Sequence, residues 1–119
     1  MSAHIRPVQV WRDDRLLVEL QLFRAFSPWQ RARGLLGRPS PGALQGHWLM
    51  PCNAVHSWFM GYAIDLLFLD ASGRVIKRVV ALQPWHMAAC RHARSVIELA
   101  AGEARRLSIE EGDLCLSAP

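Results

Sequence analysis

The fold is decided by the stretch IDLLFLDASGRVIKRVVAL, which occupies residues 64–82. Its first six residues are apolar except for Asp65, a length and composition typical of a buried strand. Residues 70–73 combine Asp, Ser and Gly, which favour a tight turn, and residues 74–82 have the composition of a second, longer strand. This stretch therefore predicts an antiparallel hairpin.

Short elements are predicted on both sides of this hairpin. Ser27 followed by Pro28 is typical of a helix start, and Gly37 is well placed to end that helix, so we predict a helix over 28–36. A second short helix is predicted over 103–107, and an irregular segment over 83–93. The other predicted strands are 8–11, 16–22, 48–50, 55–60, 95–100 and 114–116. Strands this short, separated by turns, predict the α+β class: a compact, strand-rich mixed or antiparallel sheet curled towards a barrel, with two short helices.

The bulk composition indicates one ordinary globular domain spanning residues 1–119. The chain is 51% hydrophobic and 20% charged, with a mass of 13.4 kDa. This size is close to the commonest size of a single domain. The net charge is +4, but the basic residues are scattered and form no stripe of the kind that nucleic-acid-binding proteins use. We therefore expect no nucleic-acid partner, and we expect a monomer.

The cysteines and the apolar runs predict a cytoplasmic location. Three cysteines, Cys52, Cys90 and Cys115, are too few and odd in number for a secreted disulfide scaffold. Charged residues interrupt the first 25 residues, so no signal-peptide core is expected there. The longest apolar runs, such as 66–69, are far shorter than the roughly 20 residues that a membrane span needs.

The order of several motifs resembles a known family. These motifs are Arg33-Gly34-Leu35-Leu36-Gly37-Arg38, Val55-His56-Ser57-Trp58-Phe59-Met60, Ile64-Asp65-Leu66-Leu67-Phe68-Leu69-Asp70, Val96-Ile97-Glu98-Leu99-Ala100-Ala101-Gly102 and Gly112-Asp113. Together they resemble the uncharacterised ACR family, DUF192, over about residues 20–116. The resemblance implies a compact, strand-rich α+β fold. It implies no activity, because none is established for the family in general.

The first functional hypothesis is a small binding module for an unknown small molecule or peptide, without a cofactor. His56, Met60 and Asp65 would form the floor of its pocket, with Trp58 and Trp85 at its sides. Buried carboxylates are costly unless paired, so Asp65 and Glu98 lead to two interpretations. Either they are hydrogen-bonded groups that fix the fold, or they line the pocket with His56 and have perturbed pKa values.

The alternative hypothesis is a small thiol-dependent or metal-assisted hydrolase. In the thiol form Cys52 is the nucleophile, His56 its base and Asp65 the carboxylate that orients the histidine. In the metal form, the spacing of Cys52 and His56 against His86 and Cys90 could supply tetrahedral zinc ligands. The sequence does not show that the two halves of that set meet, so we name no metal site and leave open whether the protein is an enzyme.

Overall fold

A seven-stranded mixed sheet organises the protein in a computed structural model, which describes residues 4–33, 35 and 37–118. Nine strands and two helices lie in this part of the chain. In chain order they are β1 (Ile5–Arg12), β2 (Arg15–Ala25), α1 (Pro28–Arg33), β3 (Gln45–Leu49), β4 (Ala54–His56), β5 (Ile64–Leu69), β6 (Val75–Leu82), β7 (Met87–Ala89), β8 (Ser95–Ala100), α2 (Glu103–Arg106) and β9 (Leu114–Ser117). The α+β prediction is confirmed.

The large sheet has the strand order β6-β5-β8-β3-β2-β1-β9, and β4 and β7 form a separate two-stranded sheet. Only β2 and β3 pair in parallel among these neighbours. The two edges of the large sheet meet at one isolated bridge, between Arg74 and Leu114. Because one bridge replaces a continuous ladder, the sheet is not closed into a barrel.

Strand β5 separates two apolar clusters, one on each face of the sheet, and all six of its residues are buried. Leu67 belongs to the first cluster, with Ile97 and Leu99 of β8. Leu66 belongs to the second cluster, with Val96 of β8. Because side chains alternate between the faces of a strand, Asp65 lies on the face of the first cluster and Glu98 on that of the second.

The start of α1 follows the prediction. The Ser27 hydroxyl accepts the backbone N–H of Gln30 at 3.1 Å, and the Gln30 side-chain oxygen accepts the N–H of Ser27 at 3.2 Å. These reciprocal bonds form a capping box, which fixes Pro28 as the first helical residue. The helix ends at Arg33; of the predicted last turn, residues 34 and 36 lie outside the described residues.

Two predictions were wrong here: the extent of one strand and the irregular character of one segment. The strand predicted over 55–60 ends at His56, and Phe59 beyond it has a left-handed backbone (φ 65°), which is unfavourable in an extended strand. The segment predicted as irregular contains β7, which pairs with β4 so that Val55 lies opposite Ala88. Three residues are too few to show the alternation by which a strand is recognised. No helix in the described part of the chain is long and apolar enough to cross a membrane.

Candidate functional site

A cavity of about 140 Å³ lies on the second-cluster face of the sheet, between α1, β4 and β8. Its lining includes Arg31, Cys52, His56, Trp58, Met60 and Glu98. Five of these residues were candidates from the sequence, and four of them, His56, Trp58, Met60 and Glu98, were predicted as binding residues. The arginine was not predicted, because only the packing of α1 brings it to this place.

Glu98 is the most unusual group in the cavity. Its side chain is almost completely buried, and its Oε1 has no hydrogen-bond partner among the described residues. Burial raises the pKa of this carboxyl to about 7. A buried polar atom without a partner costs about 1–3 kcal/mol, so Glu98 does not serve stability in this position.

Cys52 lies beside this carboxyl but is poorly suited to act as a nucleophile. Burial, and to a lesser degree the charge of Glu98, raise the pKa of its thiol. The Sγ atom donates a hydrogen bond to the carbonyl oxygen of Ala54 at 3.2 Å. Since the thiolate is the reactive form, a raised pKa lowers the reactivity of this cysteine at neutral pH.

His56 and Trp58 form an exposed stack at the cavity. Their ring centroids are 4.6 Å apart and the planes are inclined by 26°. His56 is exposed, and 48% of the Trp58 side chain remains accessible. The indole thus offers solvent a flat aromatic surface next to a buried acid, a combination that suits ligands with a polar or cationic group.

Asp65 is not brought to this cavity. Its Oδ1 accepts the N–H of Ala81 at 2.8 Å, and its Oδ2 accepts those of Gly102 and Ala104 at 3.0 and 2.9 Å. The carboxylate is fully buried on the opposite face of the sheet and ties β6 and the start of α2 to β5. It therefore does not orient His56, and the geometry offers no support for the proposed Cys–His–Asp triad.

Trp85, predicted at the side of the pocket, is not among the described residues that line the cavity. It is 60% exposed and packs against the exposed ring of Phe59, with centroids 4.6 Å apart. Both residues have left-handed backbones, with φ of 66° and 65°. Such conformations are costly for large side chains and persist only where the surrounding structure fixes them.

Ser57, which sequence reasoning missed, joins the segment after β4 to the segment between β6 and β7. It is completely buried, its hydroxyl donates to the carbonyl oxygen of Gln83 at 2.5 Å, and the same Oγ accepts the N–H of His86 at 3.0 Å. Its carbonyl oxygen accepts the N–H groups of Met60 and Trp85. A serine between a histidine and a tryptophan carries no sequence signal for this role.

The possible zinc ligands are not gathered into one set. His86 is exposed, and its Nδ1 lies 2.9 Å from the carbonyl oxygen of Pro84. Cys90 is partly buried, and its N–H bonds to the carbonyl oxygen of Asn53. Within residues 4–33, 35 and 37–118, no group of three or more His, Cys, Asp or Glu side chains has an arrangement that could hold a metal ion.

The fold and the cavity define a class: a strand-rich α+β protein with a small cavity floored by a buried acid. The chain belongs to the DUF192 family, described as uncharacterized ACR, whose model matches residues 8–116. No curated protein matches the sequence.

Among the solved structures that share this fold are the following two proteins. One is a protein of unknown function from Novosphingobium aromaticivorans, with 22% identity and a TM-score of 0.83. The matched region covers 93% of this chain and 84% of the other protein's chain. The other is a putative transcription regulator from Sinorhizobium meliloti, with 22% identity and a TM-score of 0.87. The matched region covers 98% of this chain and 96% of the regulator's chain. At this identity the likeness shows the fold alone.

Proposed function

We propose that this protein is a small binding module, whose cavity takes a compact group that donates hydrogen bonds to Glu98. The group that fits best is a small cation such as an alkylammonium. The observation that carries the proposal is the buried Oε1 of Glu98, which has no hydrogen-bond partner among the described residues; the side chain lines a cavity together with His56 and Trp58.

The chemistry of the cavity supports a donor or a cation. A carboxylate accepts hydrogen bonds only, and a ligand N–H would satisfy the oxygen that the described residues leave without a partner. The exposed face of Trp58 attracts a cation within about 6 Å of the ring centre. Both features favour a positively charged group. The other charged residue of the described lining, Arg31, donates through Nη1 to the carbonyl oxygen of Phe26 at 2.8 Å.

The volume limits the ligand to a few atoms. Pockets for drug-sized molecules measure about 300–1,000 Å³, while this cavity measures about 140 Å³. The ligand is therefore a very small molecule or the end group of a longer one, such as the amino terminus of a peptide.

The test is an NMR titration of the ¹⁵N-labelled protein with methylammonium, and with acetate as the probe of opposite charge. We expect methylammonium to shift the amide signals of Cys52, His56 and Glu98, and acetate to leave them in place. Binding should be stronger above pH 7 than below it, because the carboxyl pKa is about 7 and the cation prefers the ionised form.

Glu98→Gln should abolish these shifts, and Glu19→Gln, the same change at an exposed residue of β2, should preserve them. Equal shifts in the Glu98→Gln variant would overturn the proposal. The pH dependence in the unmodified protein tests the same contact without any substitution. Identical binding at low and high pH would count against an ionic contact.

One observation favours the hydrolase as a second candidate: Cys52 and His56 line the same cavity. Hydrolysis of p-nitrophenyl acetate tests it, with Cys52→Ala and the matched control Cys90→Ala. The binding proposal predicts that Cys52→Ala still binds methylammonium and that neither variant changes the hydrolysis rate. Loss of hydrolysis in Cys52→Ala alone would favour the thiol enzyme.

We further propose that the protein acts as a monomer in the cytoplasm, with its sheet curled towards a barrel. The three free thiols suit a reducing compartment, and the bridge between Arg74 and Leu114 suits a curled sheet. Light scattering that gives twice the chain mass of 13.4 kDa would contradict the monomer, and cell fractionation tests the location.

A further inference from the structure

A second cavity, of about 300 Å³, lies on the same face of the sheet as Glu98. Its lining includes Gln21, Phe23, Arg38, Ser40, Gln45 and His47. Phe23 is the register partner of His47 across β2 and β3, and His47 is that of Glu98 across β3 and β8. Since register partners point to the same face, one row of side chains connects the two cavities.

Polar atoms without a hydrogen-bond partner are concentrated in this row and in Arg38 beside it. Among the described residues, four of the five buried side-chain nitrogen or oxygen atoms without a hydrogen-bond partner belong to Arg38, His47 and Glu98. Three of these four are buried nitrogens of residues that line the second cavity: Nε of Arg38, and Nδ1 and Nε2 of His47. Since buried polar groups in native proteins are nearly always hydrogen-bonded, such a concentration needs an explanation.

Arg38 is held so that its guanidinium stays at this cavity. Its backbone N–H donates to the carbonyl oxygen of Leu35 at 3.0 Å, and its carbonyl oxygen accepts the hydroxyl of Tyr62 at 3.0 Å. The guanidinium carbon lies 5.4 Å from the centre of the Phe23 ring. Arginine has donors only, and the buried Nε–H, which has no partner among the described residues, calls for an acceptor.

His47 adds a second donor beside the guanidinium. Its ring lies 5.2 Å from that of Phe23, centre to centre. Burial, together with the charge of Arg38, lowers its pKa to about 4, so the imidazole is neutral at pH 7. A neutral imidazole donates one N–H and is not repelled by the neighbouring cation.

We propose that this cavity binds a small organic anion, a carboxylate carried on a flat apolar body. The carboxylate accepts hydrogen bonds from Arg38 and His47, and the body packs against Phe23 and the prolines of the loop, Pro39 and Pro41. No acidic residue is found in the described lining of this cavity, which distinguishes it from the cavity of Glu98.

Benzoate is the probe, benzamide its neutral counterpart, and inorganic phosphate the anion without an apolar body. We expect benzoate alone to shift the amide signals of residues 21–23 and 45–47 in an NMR titration. Arg38→Gln should weaken benzoate binding about tenfold or more, because it removes a charge-assisted hydrogen bond. Arg24→Gln is the matched control, since that arginine lies 4.6 Å from the ring of Phe26 but outside the lining of the cavity.

A second readout does not depend on any variant. Bound carboxylate stabilises the imidazolium, so benzoate should raise the pKa of His47 above about 4, measured by the ¹³C shift of its ring. The charged or titratable groups near this ring among the described residues include Arg38, Glu98 on β8 and His4, whose ring lies 5.6 Å from that of Phe23; all three remain in that experiment. Equal binding of benzamide, binding of phosphate alone, an unchanged His47 pKa, or full benzoate affinity in Arg38→Gln would each overturn the proposal.

Discussion

Replacing Glu98 with glutamine should stabilise the protein at neutral and alkaline pH, by an amount that grows as the pH rises. The carboxyl has a pKa of 4.5 when solvated and about 7 when folded, because burial penalises its charge. Between these values the unfolded chain has lost the proton that the folded chain still holds. The free energy of unfolding therefore falls as the pH rises through this window, and the loss is complete above pH 7.

The magnitude follows from the two pKa values. At about 1.4 kcal/mol for each pKa unit, the ionised carboxylate costs the folded state about 3 kcal/mol above pH 7. Glutamine has nearly the same shape and does not titrate, so the variant lacks this cost. The advantage of Glu98→Gln should be small near pH 4.5 and approach about 3 kcal/mol near pH 8.

Because His47 also changes its pKa on folding, the stability of Glu98→Gln has to be compared with that of the unmodified protein at each pH. Its pKa falls from 6.5 to about 4 on folding, so the unfolded chain binds the extra proton and stability rises with pH across this range. The two slopes oppose one another, and the profile of the unmodified protein alone does not separate them. The difference between the two proteins cancels the histidine, which both contain.

Urea unfolding of both proteins, at several values between about pH 5 and about pH 8, measures this difference. Glu19→Gln makes the same chemical change at an exposed position and reports the effect of net charge alone. A difference that stays constant across the range would refute the claim that Glu98 is buried as an unpaired acid.

Two further predictions concern buried groups that hold the loops and helices. Asp65→Asn should lower the free energy of unfolding by about 2–4 kcal/mol. The reason is that an amide NH₂ replaces one of the two oxygens that accept backbone N–H groups. An unchanged midpoint of urea unfolding would contradict this role of Asp65. Ser57→Ala should cost about 1–3 kcal/mol, since the carbonyl of Gln83 and the N–H of His86 lose their shared partner. Thermal unfolding measures the latter against Ser117→Ala, an exposed control, and equal midpoints would count against it.

The sequence predicted most of the large sheet because its signals are local. The apolar run of 64–69 and the turn after it need no tertiary information, and the capping box at Ser27 is complete within four residues. The elements that were missed or wrongly extended, β4 and β7, are three residues each and exist only as partners of one another. No local pattern identifies such a pair.

The two cavities were beyond sequence reasoning for a related reason. Arg31 and Glu98 line one cavity although 67 positions separate them in the chain, as their residue numbers show. His47 is one of five histidines and belongs to no motif that predicts a function. Its importance comes from Phe23 on one side and Glu98 on the other, which only the strand order brings together.

Asp65 and Glu98 show why an acidic residue in an apolar strand has two possible meanings. The strands that contain them are neighbours, and the register places Leu66 opposite Glu98 and Leu99 opposite Asp65, so the two carboxyls point to opposite faces. On one face, the N–H groups at the start of α2 and of Ala81 satisfy Asp65 completely. On the other face, α1 and β4 leave a cavity and bring Glu98 no donor for Oε1 from the described residues. The cost of burying a charge is therefore met within the fold for Asp65, while for Glu98 a ligand is the partner that would meet it.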